Sequence, residues 1–136
     1  LVYSPNHSKG TTYCSFDMRV EEGVSINYEW RDWRSTLYSV GPSFWIKGNQ
    51  LQVHGETILE IPIGQWVHFA VSADLGAENS GTWNLTVTLP GQEPRKFEKL
   101  PNDNKTFEQL TWLGFVSNAT TKTVFYVDNL KIDNQQ

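Results

Sequence analysis

Apolar and polar side chains alternate one for one through most of this chain, and that pattern excludes most folds before any motif is considered. Phe16, Met18 and Val20 alternate with Ser15, Asp17 and Arg19. Val24, Ile26, Tyr28 and Trp30 alternate with Ser25, Asn27, Glu29 and Arg31. The same holds for Val67, Phe69 and Val71 against His68, Ala70 and Ser72, and for Trp83, Leu85, Val87 and Leu89 against Asn84, Thr86 and Thr88. Successive side chains of a strand point to opposite sides, so a period of two marks strands with one face buried and one in water. A helix would need an apolar stripe at i, i+3, i+4 and i+7. Only Asn104 to Leu110 approaches that spacing, and it predicts at most one turn of helix.

Turn chemistry separates the alternating runs. Glu22-Gly23, Lys47-Gly48-Asn49, His54-Gly55-Glu56, Ile63-Gly64, Asn79-Ser80-Gly81 and Pro90-Gly91 supply Gly or Asn where a tight turn needs positive φ. The spacing predicts ten strands, near 12–21, 24–33, 36–40, 43–47, 50–54, 57–60, 66–74, 82–89, 110–117 and 123–132. Ten strands crowd a single open sheet, so the expected fold class is all-β: a two-sheet antiparallel β-sandwich. With 136 residues, the chain reads as one such domain over 1–136 and can bury a core without a metal or disulfide staple. Leu1 begins in polar, Ser/Gly-rich sequence. The chain is therefore expected to be a piece of a larger multidomain protein, with any targeting signal outside it.

Charge narrows the partners. The net charge is −4, against the basic surface that counterion release from nucleic acid requires. No apolar run approaches the ~20 residues of a membrane-spanning helix. The single cysteine, Cys14, cannot close an internal disulfide and falls in a strand run, where it predicts a small buried residue.

Aromatic residues make up 13% of the chain, including six tryptophans, and strand parity divides these six. Trp83 and Trp30 share parity with core residues and are expected inside, while Trp112 is ambiguous. Trp33 falls with Asn27, Glu29 and Arg31, Trp45 falls with Lys47, and Trp66 falls with His68. These assignments predict one solvated sheet face carrying Asn27, Glu29, Arg31, Trp33, Trp45, Lys47, Trp66 and His68. Exposed indoles interleaved with hydrogen-bonding groups suit a sugar. The apolar C–H face of a pyranose stacks on an indole, and its hydroxyls pair with amide, carboxylate and guanidinium groups. The competing expectation is that a loop or a neighbouring domain covers these rings.

Catalytic patterns are missing. Glu29 and Asp32 face opposite sides of a regular strand, so they do not make the pair of carboxyls across a cleft that glycoside hydrolysis needs. No E-x-D-x-x-E strand, G-x-S-x-G, P-loop or G-x-G-x-x-G occurs, and His7, His54 and His68 lack zinc spacing. The sequons at Asn6, Asn84, Asn104 and Asn118 are expected by chance in a chain rich in Ser, Thr and Asn.

Two segments carry a resemblance. Ile63-Gly64-Gln65-Trp66-Val67-His68-Phe69-Ala70-Val71, followed by Gly81-Thr82-Trp83-Asn84-Leu85-Thr86-Val87, resembles the G-x-W-x-H-x-x-V and G-x-W-x-L-x-V pattern of concanavalin A-like and laminin G-like jelly rolls. Val124-Phe125-Tyr126-Val127-Asp128-Asn129-Leu130-Lys131-Ile132 resembles the closing strand of many carbohydrate-binding modules, and Asp17-Met18-Arg19 an early strand of the same fold. The resemblance covers about half the chain and implies a jelly roll of the kind appended to secreted polysaccharide hydrolases or lyases. Similar sandwiches also serve as protein-adhesion modules. Jelly rolls often set the first and last strands side by side, so Asp17 and Asp128, with Asp133 nearby, are candidate ligands for a structural calcium ion; solvated Asp turns are the alternative.

The expected function is a non-catalytic carbohydrate-binding module, extracellular, with a polysaccharide or oligosaccharide as ligand and the parent chain's other domains as neighbours. The rival is a docking domain whose exposed rings meet a neighbouring catalytic domain, since fold alone does not choose.

Overall fold

The computed structural model describes residues 1–136. Its strands are β1 (Val2–Tyr3), β2 (Gly10–Val20), β3 (Ser25–Asp32), β4 (Ser39–Lys47), β5 (Gln50–Val53), β6 (Glu56–Glu60), β7 (Trp66–Leu75), β8 (Thr82–Thr88), β9 (Arg95–Pro101), β10 (Trp112–Ser117) and β11 (Phe125–Gln135). One turn of 3₁₀ helix, Gly76–Glu78, is the only helical element. Asn104 to Leu110 makes one hydrogen-bonded turn, the Phe107 N–H donating to the Asn104 carbonyl at 3.3 Å, and no helix. No helix is long and apolar enough to cross a membrane.

Two antiparallel sheets pack face to face. One has six strands in the order β1-β10-β3-β4-β5-β6, the other five in the order β11-β2-β7-β8-β9. The expected sandwich is therefore present, and the apolar parity of each strand fills the space between its sheets. Trp30, Trp83, Tyr28, Phe16, Phe44 and Phe69 are all fully buried there. Phe16 stacks on Phe69 at 5.3 Å and meets Phe115 edge-on at 4.9 Å, while Tyr28 stacks on Phe44 at 4.9 Å. Offset and edge-on arrangements of this kind add about 0.5–1.5 kcal/mol per pair beyond area burial. Tyr28 Oη accepts from Trp30 Nε1 at 2.6 Å, which satisfies both polar tips inside the core. Cys14 is buried as expected, and burial pushes its thiol up to about 11.

Three strands depart from the expected set: β1 has only two residues and so shows no period, and at β4 and β9 a bulge breaks the alternation that would reveal them. The run predicted at 43–47 and the last two residues of the run predicted at 36–40 belong to one strand, β4, whose pairing with β3 slips between Glu29 and Arg31, while residues 36–38 lie in the loop before it. Gly41, at that slip, packs so closely on Phe107 that a β-carbon would fall 2.5 Å from the ring. Strand β9 was not expected. Lys99 has φ +57°, so Phe97 and Leu100, three apart, both turn inward against the core. The charged edge strand therefore shows no period of two, which is what a β-bulge does to a sequence pattern.

Candidate functional site

The outer face of the six-stranded sheet is built by β3, β4 and β10. Register sets Asn27 opposite Trp45, Glu29 opposite Ser43, and Ser25 opposite Lys47. On the other side of β3, Trp112 pairs with Arg31 and Gly114 with Glu29. Gly114 has no side chain, and Trp112 folds its indole into that space; a β-carbon there would stand 2.8 Å from Cζ2 and overlap Cη2. The ring so placed lies 3.9 Å from the Arg31 guanidinium carbon. Tyr38 covers the guanidinium at 4.2 Å and Trp33 flanks it at 6.0 Å. Glu29 completes the enclosure, its Oε1 accepting from Arg31 Nε at 2.7 Å. Arg31 and Glu29 keep only 18% and 10% of their side chains exposed, so this ion pair is largely out of water. Breaking it by removing one partner would strand the other charge.

Trp33 and Tyr38 belong to the loop after β3, and Asp32 holds that loop. Its buried carboxylate accepts the backbone N–H groups of Arg34, Glu108 and Gln109, each at 3.1 Å, together with the Arg34 guanidinium. Burial alone would push Asp32 up, but these donors outweigh it and hold the carboxyl below its ordinary value. Trp33 and Tyr38 rings then meet at 4.4 Å, and both remain exposed.

A concavity of about 360 Å³ adjoins this box, lined by Ser43, Trp45, His54, Gly55, Asp103 and Asn104. Segment 103–104 lies there because the backbone N–H groups of Asp103 and Asn104 donate to the carbonyls of Gly41 and Val40, at the slipped end of β4. His54 and Gly55 both have positive φ, 51° and 78°, the conformation of a two-residue hairpin turn. The turn brings the exposed His54 ring to the end of β9, where Nε2–H donates to the Pro101 carbonyl at 2.7 Å. Asp103 Oδ1 is 3.7 Å from that nitrogen. Burial raises the Asp103 carboxyl and the nearby Glu29 carboxylate adds to the rise, against opposing contributions from His54 and a bond to Ser43. On the floor, Asn27 Nδ2 donates to Ser43 Oγ and to the Phe44 carbonyl, both at 3.1 Å. Lys47 Nζ lies 5.0 Å from the Trp45 ring.

Six of the eight residues expected on one face are thus together: Asn27, Glu29, Arg31, Trp33, Trp45 and Lys47. Trp66 and His68 are not with them. They point outward, as parity predicts, but β7 belongs to the five-stranded sheet, so they lie on the opposite side of the sandwich. Alternation orients residues within one strand and does not say which sheet that strand joins. Asn27 and Glu29 also face outward yet are buried, because the neighbouring side chains close over them. Tyr38, His54 and Asp103 arrive from loops and turns that strand parity does not place, Trp112 of β10 lies where it does because Gly114 leaves room for its indole, and Ser43 shares the outward parity of Trp45 and Lys47; the His54-Gly55 turn signal was legible, the direction of its ring was not.

Asp17 and Asp128 do pair across β2 and β11, and their oxygens are held by hydrogen bonds within the chain. One Asp17 oxygen takes His68 Nδ1 and the other takes Asn129 Nδ2, both at 2.7 Å, while Asp128 Oδ1 accepts the Asn129 N–H. No group of three or more His, Cys, Asp or Glu side chains is placed to hold a metal ion.

No family model matches the chain, and no curated protein matches it. Among solved structures it is similar to an endo-β-1,4-glucuronan lyase from the fungus Trichoderma reesei, with a TM-score of 0.58 at 10% identity over 95% of this chain and 70% of that one. Chicken galectin 2 aligns over 97% of both chains at 13% identity and a TM-score of 0.47. A homodimeric agglutinin from chicken liver, CG-16, aligns over 98% of both at 11% identity and 0.49. The likeness is one of fold, a two-sheet antiparallel jelly-roll sandwich.

Proposed function

We propose that the chain is a non-catalytic glycan-binding module whose ligand lies along the outer face of the six-stranded sheet. The observation that carries this reading is the Arg31–Glu29 pair enclosed by Trp112, Tyr38 and Trp33 beside the Trp45–His54–Asp103 concavity. Rings fixed next to preordered hydrogen-bonding groups match a pyranose, with stacking on Trp45 and Trp33 and hydroxyls directed to the Arg31 guanidinium, His54 and Asp103. Glu29 is committed to Arg31 and is no free partner for a second carboxyl, which favours binding over hydrolysis. Likeness in fold to a glucuronan lyase fits a module of the polysaccharide-degrading world. In that setting it would be extracellular and tether an attached hydrolase or lyase to its polymer, with weak single contacts, on the order of micromolar to millimolar, multiplied along the chain.

Affinity gel electrophoresis against neutral, uronic and sulfated polysaccharides tests the proposal. The expected result is selective retardation that Trp45→Ala or Trp33→Ala abolishes while the melting temperature stays within a few degrees. Absence of retardation by every polymer would overturn it in favour of a docking domain. Release of unsaturated uronate or reducing ends from the same polymers would overturn its non-catalytic part.

A further inference from the structure

The outer face of the five-stranded sheet carries a second cluster, built in register across three strands. Tyr126 of β11, Arg19 of β2 and Trp66 of β7 form one row, and Asp128, Asp17 and His68 form the next. Trp66 and Tyr126 are each nearly half exposed, at 45% and 48%. Their ring centroids are 6.4 Å apart and their planes meet at 52°, so the two rings make an open wedge. Arg19 lies between them, 5.8 Å from the Tyr126 centroid, with its Nε–H donated to Glu21 at 2.9 Å.

The polar row is fixed as firmly as the aromatic one is open. His68 Nδ1–H donates to one Asp17 oxygen, which leaves Nε2 on the exposed edge of the ring as an acceptor. Asn129 Nδ2 donates to the other oxygen. Asn129 reaches this row because the pairing of β11 with β2 slips between Asp128 and Lys131 and its own φ is +54°. A bulge re-aims a side chain in this way at the expense of regular pairing.

We infer that this face is a second glycan-binding site, selective for an uncharged polysaccharide, so that one chain holds two polymer strands on opposite sides of the sandwich. The wedge of Trp66 and Tyr126 accepts the C–H face of one pyranose. His68 Nε2, the remaining Asp17 lone pairs and the Asn129 amide meet its hydroxyls. Charge selects the class. Arg19 is neutralised by Glu21, and Asp17 and Asp128 leave the adjoining row negative, which repels uronate, sulfate and phosphate polymers. A folded protein partner would need a broad apolar centre, roughly 800 Å² on each side. Here the apolar part is a single pair of rings, with a guanidinium beside Tyr126 and carboxylates on the next row. Packed sheets stand about 10 Å apart, so one sugar cannot reach both faces, and this site stands or falls separately from the one on β3 and β4.

The test is a ¹H–¹⁵N titration of the intact chain with cello-, xylo- and manno-hexaose and with an oligoglucuronate, following the indole N–H signals. Trp66→Phe and Trp45→Phe assign the two signals that matter. A saturable shift at Trp66 with an uncharged hexaose and none with the oligoglucuronate is expected. Trp66→Ala/Tyr126→Ala should lower, at least fivefold, the turbidity that the wild type raises in the matching polymer. No movement of the Trp66 indole with any uncharged hexaose overturns the inference, as does a shift caused by the uronate alone. Sedimentation of the wild type as a dimer and of the double variant as a monomer would make a second copy the occupant and overturn it too. Movement at Trp66 with Trp45 silent would sink the first site and leave this one standing.

Discussion

Gly114→Ala adds one methyl group beneath the indole that builds the Arg31 box. Gly114 lies on β10 opposite Glu29, and its backbone is not in the left-handed region, so alanine meets no strain there. The methyl carbon would, however, stand 2.8 Å from Trp112 Cζ2, where carbons rest at about 3.5–4.0 Å. Cη2 stands closer still, so the ring must retreat by roughly 1–1.5 Å, and it is a rigid bicycle with Arg31 against it rather than a flexible chain end. Overpacking of this kind costs about 1–3 kcal/mol, offset by about 0.5–1 kcal/mol from replacing glycine within a strand. Displaced from the guanidinium, the ring also forfeits a cation–π contact of about 0.5–2 kcal/mol, toward the upper end because Arg31 is only 18% exposed. The expected result is a melting temperature lower by about 2–15 °C and glycan affinity on the first face lower by about five- to thirtyfold. Scanning calorimetry and affinity electrophoresis on one preparation read both quantities. A variant that melts and binds like the wild type would refute the claim that Gly114 makes room for Trp112 and that Trp112 holds Arg31.

Asp32→Ala leaves the backbone N–H groups of Arg34, Glu108 and Gln109 without their acceptor and should cost about 2–4 kcal/mol. The native carboxyl lies below its ordinary value, so its stabilisation is complete above the unfolded value of about 3.9 and is lost as pH falls through the folded value; urea melts at pH 7 and pH 3 should show the variant's deficit shrinking in acid, and a constant deficit refutes the assignment. Asp103 is displaced the other way, by burial first and by Glu29 second, so the folded state holds its proton more tightly and stability falls as pH rises from about 3.9 through the raised value. Asp103→Asn should therefore gain on the wild type across that window, and a stability difference independent of pH between 4 and 7 would be the contrary result.

Most of the architecture was legible because alternation was unbroken where the strands are regular. The core faces of β2, β3, β7 and β8, the burial of Trp30 and Trp83, and the two-sheet fold all follow from parity together with turn residues. Legibility failed at bulges. Lys99, with its positive φ, turned Phe97 and Leu100 to the same side and hid β9, and the slip in β4 made one strand look like two. A period-two reading assumes one residue per step of the ladder, and each extra residue resets it.

The candidate site divides along the same line. Asn27, Glu29, Arg31, Trp33, Trp45 and Lys47 were found because they lie on β3 and β4 or one residue beyond the strand end. Trp112 is on a regular strand too, but the glycine two residues on decides where its indole lies, and no periodicity reports a missing β-carbon. His54, Asp103 and Tyr38 come from turns and loops whose placement depends on long-range bonds: the Asp103 and Asn104 N–H groups to β4, and those of Glu108 and Gln109 to Asp32. The slip that hid β4 from the sequence is also where segment 103–104 attaches, so the irregularity that obscured the strand delivers Asp103 to the concavity. Strand parity supplies the aromatic platform of this face, while the carboxyl and imidazole that complete it arrive only where the ladder is broken. A sequence can therefore mark an exposed aromatic face well before it reveals the polar groups that stand beside it.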